Sequence, residues 1–369
     1  MNKLYYPHIG GVEEVVRRLA EGFASREGMR SQVLVCNESP RSVKENVNGV
    51  EVTRTGSIGR IWSEPISPTF LSHLRRTDAS IYHFHDPFPL GELGGLMFGE
   101  ERKMVAWYHS DVFRQRRLLR AYRPVLEAFL RRCRAILVAS PQLMRSSPVL
   151  ASLPDRCRLV NYGVDASRFQ ADGRISRLAA DLREKYSAGG GLILCVGRLV
   201  YYKGIEHLLE AAREVDAGFL ILGRGPLRKK LGLQVEASGI SHRVHFVDWA
   251  DEREMPAYYH ACDMLVLPST ARTEAFGLVL LEAQACAKPV ISTELGTGTS
   301  YANLDGVTGL VVPPRDPRAL AEAMNHLLAD EFSREEMGTR GRERVESEFS
   351  LEGLIEGVAK IYAEILREV

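Results

Sequence analysis

Residues 264–287 read MLVLPSTARTEAFGLVLLEAQACA, and no other segment says as much about fold and chemistry. A strand-like apolar run, Met264–Ser269, leads through a loop into a helical pattern at Leu278–Ala287. Glu274 lies in the loop, and Glu282 lies one turn into the helix. A helix start offers unpaired amides and a partial positive charge, which favour a phosphate or sugar hydroxyls. Acids also stabilise helix starts without any ligand, so this segment alone leaves both interpretations open.

A second strand-loop-helix segment, VGRLVYYKG at 196–204, carries a complementary charge. Its strand ends at Gly197, and Arg198 and Lys203 precede the next helix. A guanidinium, an ammonium and free amides directed at one point match a diphosphate. The alternative is an ordinary solvated Arg and Lys in a loop. The glutamates downstream favour phosphate binding.

A third segment, LGRGP at 222–226, combines a strand end, a glycine turn and a proline at the first helical position. It is not GxGxxG, so the evidence for a dinucleotide-dependent oxidoreductase is weak. Gly223 would let the backbone approach a ribose or base closely.

Strand-like runs alternate with amphipathic helical stretches along most of the chain, a pattern typical of parallel sheets with crossover helices. With 369 residues, the chain is long enough for two domains. The sequence therefore predicts an α/β protein with two doubly wound units and a cleft between them. In the second half the predicted strands are Leu192–Gly197, Gly218–Leu222, Val244–Val247, Met264–Pro268, Pro289–Thr293 and Gly309–Val312.

The composition is that of a globular protein, with 45% hydrophobic and 26% charged residues. No apolar run approaches the length of a membrane span, and no signal-peptide pattern opens the sequence. The six cysteines are scattered and form no CxxC pair. We expect buried free thiols and a reducing cytoplasmic environment.

Together these segments resemble the retaining glycosyltransferases of family 4, which have the GT-B fold. The resemblance is carried by the Glu-x7-Glu pattern of Glu274–Glu282, by residues 196–204 and by YYPHIGGVE at 5–13. In the family a strand precedes this last segment. Because Met1 lies so close to it, we expect that strand to be shortened or missing, with a gap or raw edge in the first sheet.

The resemblance implies GT-B architecture, with two Rossmann-like domains facing across a cleft. Residues 1–170 would form the acceptor-side domain and residues 171–350 the nucleotide-sugar domain. The final helix, within 351–369, would pack back on the first domain.

The resemblance also implies roles for individual residues in the second domain. Glu274 would accept hydrogen bonds from sugar hydroxyls, with the backbone of Phe276, Gly277 and Leu278 beside it. Glu282 would hold the ribose diol. Further donor contacts would come from the strand ends at Gly197, Gly223, Val247 and Asp248, the last two at the nucleobase.

In the first domain, Gly11 opens a helix and would approach the phosphate or the acceptor. His109 ends a strand, and because strand ends line the cleft in such folds it would touch the donor sugar. The alternative is a capping or core histidine. His83 and His85 alternate along a strand but lack a third metal ligand, so we interpret them as core and rim.

The family transfers a sugar with retention of the anomeric configuration. No second carboxylate is found where the family would place a nucleophile, so we expect front-face attack assisted by the donor's own phosphate. Arg198 and Lys203 would stabilise the leaving diphosphate. No Asp-x-Asp occurs, which argues against a bound metal ion. We expect no cofactor beyond a GDP- or UDP-sugar donor.

The loop Thr293–Pro314 closely resembles a subgroup of bacterial mannosyltransferases of O-antigen and capsule assembly, many of which use GDP-mannose. Mannose is therefore the sugar that the resemblance favours. No side chain of the loop is by itself specific for guanine. The alternative interpretation is a Gly/Thr-rich surface loop without a ligand.

Residues 1–170 hold 25 Lys and Arg against 17 Asp and Glu, a net charge of +8, which predicts an anionic partner for this half. The segment 114–134 holds eight arginines and one acid, Glu127, with apolar residues at near-helical spacing. A basic amphipathic helix is typical of a membrane-surface element, and a solvated helix face is the alternative. No aromatic platform for nucleic acid accompanies it. The predicted membrane or acceptor contacts are Arg114, Arg116, Arg117 and Arg120.

We therefore predict a metal-independent, retaining hexosyltransferase. It would act at the inner face of the membrane, on a lipid-linked or growing oligosaccharide in cell-surface polysaccharide synthesis. Two alternatives remain: a nucleotide-sugar epimerase or hydrolase of the same fold, and a non-catalytic sugar-nucleotide-binding subunit.

Overall fold

The computed structural model describes residues 1–8, 10–61, 64–99, 102–111, 116–188 and 190–368, and for residues 116–121 it describes the backbone alone. By its internal contacts the chain divides into two units. Unit 1 comprises Met1–Gly163 with Leu351–Val369, and unit 2 comprises Val164–Ser350. The first boundary between the two units thus lies after residue 163, whereas the sequence suggested a boundary after residue 170.

Unit 1 is an α/β unit. Its strands are β1 (Gln32–Cys36), β2 (Val43–Val47), β3 (Val50–Thr55), β4 (Arg60–Ile61), β5 (Glu64–Pro65), β6 (Tyr82–Asp86), β7 (Met104–Tyr108), β8 (Ala135–Val138) and β9 (Cys157–Leu159). Its helices are α1 (Gly11–Ala24), α2 (Phe70–Arg76), α3 (Pro89–Phe98), α4 (Arg116–Arg132), α5 (Pro141–Ser146) and, from the end of the chain, α14 (Leu351–Arg367).

The strands of unit 1 form two main sheets, ordered β1-β3-β2 and β6-β7-β8-β9, and a small β4-β5 hairpin. Met1–Lys3 lies between the two sheets. The amide of Asn2 donates to Leu34 O, and the amide of His85 donates to Met1 O at 3.0 Å. No strand precedes α1 among the described residues, in line with the prediction of a shortened or missing strand, but Met1–Lys3 forms hydrogen bonds to both sheets and so occupies the position between them.

The β2-β3 hairpin was not predicted, although its turn is visible in the sequence. Asn48 and Gly49 form the two-residue connection, and both have positive φ, 52° and 84°. Asn-Gly between two strands is the strongest short-range hairpin signal, because both residues tolerate this conformation. Buried and exposed residues do not alternate along β2, since most of its residues are exposed.

The last helix packs on the first. Leu354, Ile355 and Val358 are buried along one face of α14. Tyr362 stacks on Phe23 of α1 with ring centroids 5.3 Å apart. The chain end therefore belongs to the core of unit 1, because its apolar face has α1 as its partner.

Unit 2 contains one parallel sheet. Its strands are β10 (Leu192–Val196), β11 (Gly218–Leu222), β12 (Val244–Val247), β13 (Met264–Leu267), β14 (Val290–Thr293) and β15 (Gly309–Val312). Its helices are α6 (Gly173–Tyr186), α7 (Ile205–Ala211), α8 (Arg228–Ala237), α9 (Met255–Ala261), α10 (Leu278–Ala285), α11 (Thr299–Ala302), α12 (Pro317–Ala329) and α13 (Glu331–Glu348).

The order of this sheet is β12-β11-β10-β13-β14-β15, with every pair parallel. Counted from the first strand of the unit, this is the 3-2-1-4-5-6 order of the doubly wound fold. The direction of winding reverses between β10 and β13. Ligands of such sheets bind outside the carboxyl ends of the strands at this switch point.

The central strands of unit 2 are apolar along their whole length. All residues of β10, β11, β13 and β14 are buried. This continuous burial is expected of strands covered by helices on both faces, and it explains why these strands were predicted nearly to the residue. Among the described residues, no helix is long and apolar enough to span a bilayer.

Candidate functional site

The candidate site of unit 2 is built where three strands end. Lys203 follows β10, Gly223 follows β11, and Glu274 follows β13. Because the strands are parallel, these loops meet at one edge of the sheet. Lys203 and Glu274 come from the two strands that flank the switch point.

Lys203 and Glu274 form an ion pair across this point. Lys203 Nζ lies 2.5 Å from Glu274 Oε2, and the two side chains are 13% and 10% exposed. Burial alone would lower the pKa of Lys203, but the carboxylate of Glu274 raises it above its ordinary value. Lys203 therefore stays charged, and the pair is held in a largely water-excluded position where its charges act strongly.

Two hydroxyl groups hold Glu274 in addition to Lys203. Ser269, which is fully buried, donates from Oγ to Glu274 Oε2 at 3.1 Å. Thr297 donates from Oγ to the main-chain oxygen of Glu274 at 2.8 Å. Sequence reasoning missed both residues. Ser269 lies two residues after β13 and five residues before the glutamate, and this short spacing was the available signal.

The turn before α10 leaves amides free beside this pair. Gly277 precedes the helix with a φ of 79°, which a residue with a side chain adopts only with strain. Within the described residues, the backbone amides of Gly277, Leu278 and Val279 have no hydrogen-bond acceptor. These are the free donors that the sequence predicted at this helix start.

The side chain of Phe276 points into the core. It is 4% exposed and its ring lies edge-on to Phe349, with centroids 6.1 Å apart. The predicted ligand contact of Phe276 involves its backbone alone, and it stays a prediction.

Arg198 lies in the same loop after β10 as Lys203. Burial and then Glu274 raise the pKa of Tyr202, whereas Lys203 and Arg198 act on it in the opposite direction. The side chain of Arg198 is exposed and makes no ion pair within the described chain. The guanidinium is therefore available to bind an anionic ligand.

Gly197 and Gly223 serve close packing of the two loops. A Cβ on Gly223 would lie 1.9 Å from Gly197 O. The Gly223 amide donates to Val247 O at 2.8 Å, which links the ends of β11 and β12. The ends of β10, β11 and β12 thus approach one another because no side chain separates them.

Glu282 and Asp248 lie further from the ion pair in sequence and have partners of their own. Tyr259, fully buried on α9, donates its hydroxyl to Glu282 Oε2 at 2.7 Å. Asp248 is exposed, and its Oδ1 lies 3.8 Å from Arg228 Nε. The predicted ribose and base contacts of these residues stay predictions.

In unit 1, His109 is part of a buried column of stacked rings. It is 3% exposed, and burial lowers its pKa to about 3, so it is neutral. Its Nε2 lies 2.9 Å from His85 Nδ1, and its Nδ1 lies 2.5 Å from the Tyr162 hydroxyl. Both ring nitrogens thus have partners inside unit 1. The donor-sugar contact stays a prediction.

The same column contains Trp107 and Tyr362. Trp107 stacks on His109 with centroids 5.6 Å apart, and Tyr362 meets His83 through its hydroxyl at 2.5 Å. His85 is buried and His83 partly buried, as the interpretation as core and rim residues expected. Sequence reasoning missed the column, because its rings come from β6, β7, the segment after β9 and the last helix.

The remaining predicted contacts of unit 1 are less defined. Gly11 is the first residue of α1, and a Cβ there would meet no atom within 4 Å. Arg114 lies outside the described residues. Arg116, Arg117 and Arg120 lie on α4, but their side chains are not described.

All six cysteines are buried and unpaired with one another. Across the described residues, no group of three or more His, Cys, Asp or Glu side chains is arranged to hold a metal ion. The expectation of a metal-independent reaction stays a prediction.

Two family descriptions match this chain. Residues 9–168 match Glycosyltransferase Family 4, and residues 181–344 match Glycosyl transferases group 1. The O-antigen chain mannosyltransferase C of Escherichia coli is 33% identical over 99% of this chain and 97% of its own length. The D-rhamnosyltransferase WbpZ of Pseudomonas aeruginosa is 35% identical over 93% of this chain and 89% of its own.

Solved structures agree on the fold. A sucrose-phosphate synthase from Thermosynechococcus elongatus has a TM-score of 0.82 at 24% identity, covering 100% of this chain and 96% of its own. WaaG, a glycosyltransferase involved in lipopolysaccharide biosynthesis, has a TM-score of 0.73 at 18% identity, covering 98% of both chains. At these identities the likeness concerns fold alone.

Proposed function

This chain belongs to glycosyltransferase family 4 and is a glycosyltransferase of the GT-B fold, and from that premise we propose that it is a retaining hexosyltransferase of cell-surface polysaccharide synthesis. The donor would be a nucleoside-diphosphate sugar bound to unit 2. The acceptor would be a lipid-linked or growing oligosaccharide.

One observation carries this proposal: the buried Lys203–Glu274 pair at the switch point of unit 2. The free amides of Gly277–Val279 belong to the same loop as Glu274. A cationic group with free amides suits a diphosphate, and a fixed carboxylate suits sugar hydroxyls. A nucleotide sugar is the common ligand that presents both groups side by side.

The proposed chemistry is electrostatic. As the bond to the anomeric carbon breaks, negative charge grows on the leaving diphosphate. Lys203 and the amides of α10 would stabilise that charge without reorganising, because the fold already holds them in place, and the exposed guanidinium of Arg198 would add its charge when the ligand binds. The acceptor would attack on the same face, with the donor phosphate taking its proton and no metal ion needed.

Mannose is the first candidate for the transferred sugar. A relative that matches along nearly its whole length is named as an O-antigen chain mannosyltransferase, and another as a D-rhamnosyltransferase. Because the resemblance of the loop Thr293–Pro314 favours GDP-mannose, a GDP-linked donor is the first to test. A UDP-sugar is the second.

Helix α4 supports a place at the membrane surface. Arg131 and Arg132 in its last turn are exposed, whereas Leu126, Phe129 and Leu130 are buried against unit 1. The arginine-rich surface of this helix is suited to an anionic leaflet. We propose peripheral binding at the inner face, where a lipid-linked acceptor would be found.

Nucleotide release tests the proposal. Purified chain is incubated with GDP-mannose or UDP-glucose, with and without a lipid-linked oligosaccharide, and GDP or UDP is measured with the sugar products. We expect release that depends on the acceptor, together with an acceptor lengthened by one sugar. Isomerised donor formed without acceptor would instead indicate an epimerase. Donor binding without turnover would indicate a non-catalytic subunit.

A further inference from the structure

We propose that Ser269 is a positioning residue that fixes the carboxylate of Glu274, so that Oε1 alone accepts a hydroxyl of the donor sugar. The inference rests on the proposed function, because it concerns the same sugar nucleotide. It assigns a task to a residue that does not itself contact the ligand.

The two oxygens of Glu274 have different surroundings. Oε2 is bonded twice, by Lys203 Nζ at 2.5 Å and by Ser269 Oγ at 3.1 Å. Oε1 has no hydrogen-bond partner among the described residues. A carboxylate that is held at one oxygen by two donors cannot turn freely, so its other oxygen has a fixed direction.

Ser269 is suited to this task by its own position. It is fully buried at the end of β13, and its main-chain oxygen accepts from Thr293 Oγ at 2.5 Å. The hydroxyl is therefore carried by a strand end that is tied to the neighbouring strand β14. Binding groups held by rigid elements keep the geometry that a ligand needs.

The lysine alone would not fix the carboxylate. Its ammonium sits on a flexible four-carbon chain and rotates about it, whereas a serine hydroxyl on a buried strand end has one short side-chain bond. Lys203 supplies charge and Ser269 supplies direction. Loss of Ser269 would therefore affect binding of the sugar and leave binding of the diphosphate unchanged.

Binding measurements can separate these effects without an acceptor. The dissociation constants of GDP and GDP-mannose are measured by calorimetry for the wild type, for Ser269→Ala and for Ser269→Thr. Ser292→Ala is the matched control. Ser292 is also fully buried, on the adjacent strand β14, where its hydroxyl accepts from Asn303 Nδ2 at 2.9 Å.

We expect Ser269→Ala to weaken GDP-mannose about tenfold, the scale of one hydrogen bond to a charged group, with GDP unchanged. Ser269→Thr should recover most of the loss because it keeps the hydroxyl. Ser292→Ala should leave the ratio of the two constants as in the wild type. Unchanged GDP binding also shows that Ser269→Ala is folded.

A series of GDP-deoxymannoses, each lacking one ring hydroxyl, identifies the group that Oε1 binds. For the GDP-deoxymannose that lacks the hydroxyl bound by Oε1, the wild type and Ser269→Ala should have the same dissociation constant. Equal weakening of GDP and GDP-mannose, or no weakening of either, would overturn the role of Ser269 and leave the proposed function intact. A wild type that binds neither GDP nor UDP, with or without sugar, would overturn both.

Discussion

The two units handle a buried carboxylate at a strand end in opposite ways. In unit 2, Glu274 after β13 is neutralised by Lys203 at 2.5 Å. In unit 1, Asp86 ends β6 and meets Glu92 of α3, and neither forms an ion pair in the described part of the chain. Burial raises the pKa of Asp86 well above its ordinary value, and Glu92 raises it further.

This difference separates a charged site from a neutral one. Burial would lower the pKa of Lys203, but the neighbouring Glu274 raises it above its ordinary value, so Lys203 keeps its positive charge. The Asp86–Glu92 pair instead retains protons, because burial makes it costly for two neighbouring carboxyl groups to ionise together, and this outweighs the opposing effect of the Met1 amino group on the pKa of Asp86. The proposed binding site of unit 2 is therefore charged, whereas the buried acids of unit 1 make stability depend on pH.

The largest effect on turnover is expected from removing the cation of unit 2. Lys203→Ala should lower kcat at least about a hundredfold, the scale of losing one preorganised charge donor, and Arg198→Ala should act in the same direction. Initial rates of nucleotide release measure the effect. Lys229→Ala, an exposed lysine of α8, is the control and should keep the wild-type rate. Unchanged rates in both site variants would remove these cations from the site.

The ion pair itself should show strong coupling in stability. Lys203→Met and Glu274→Leu should each lower the free energy of unfolding by about 3–5 kcal/mol, because each leaves one buried charge without its partner. The double variant should lose much less than the sum of the two. Denaturant unfolding of all four chains measures the coupling, and additive losses would mean that the two side chains do not interact.

Unit 1 should respond to pH through Glu92. Burial raises the pKa of Glu92 from 4.5 to about 7, so the folded chain holds a proton that the unfolded chain has released. Stability from this group is present below pH 4.5 and is lost as pH rises towards 7. Glu92→Gln should therefore be more stable than wild type at pH 8, by on the order of 2–3 kcal/mol, and equal to it near pH 4.

The control for this pH effect is Glu356→Gln, an exposed acid of α14. Thermal melting across pH 4–8 compares the three chains. A Glu92→Gln curve parallel to the wild-type curve would show that this carboxyl does not retain its proton.

The smallest effect is expected from the arginines of α4. Replacing Arg116, Arg117 and Arg120 by Gln should weaken binding to vesicles containing anionic lipid about tenfold, since each cation near a charged surface contributes up to about 1 kcal/mol. Raising the salt concentration should weaken the wild type in the same way. Co-sedimentation measures both effects.

The matched control for the vesicle experiment removes three exposed arginines of unit 2, Arg318, Arg340 and Arg342. It changes the net charge by the same amount. If the control weakens vesicle binding equally, net charge alone explains the effect and α4 has no special role.

Most secondary-structure elements of unit 2 could be predicted from the sequence, because the patterns that indicate them lie within short segments. Buried parallel strands appear as continuous apolar runs, and glycines mark the tight loops after β10 and β11. The proximity of Lys203 and Glu274 followed from the resemblance to family 4. Their direct ion pair did not, because side-chain partners across a switch point depend on the loop paths.

Unit 1 was harder to predict because its key contacts are distant in sequence. The column of rings that holds His109 joins residues from His83 to Tyr362, and no local pattern indicates such a stack. Asp86 and Glu92 look like ordinary surface acids near a proline. Their burial follows from α3 packing over the end of β6, which periodicity does not reveal.

A structure of the chain soaked with GDP-mannose tests the central claim most directly. We predict diphosphate oxygens within hydrogen-bonding distance of Lys203 Nζ and the amides of Gly277–Val279, with one mannose hydroxyl on Glu274 Oε1. A diphosphate bound elsewhere, with the Lys203–Glu274 pair untouched, would contradict the account.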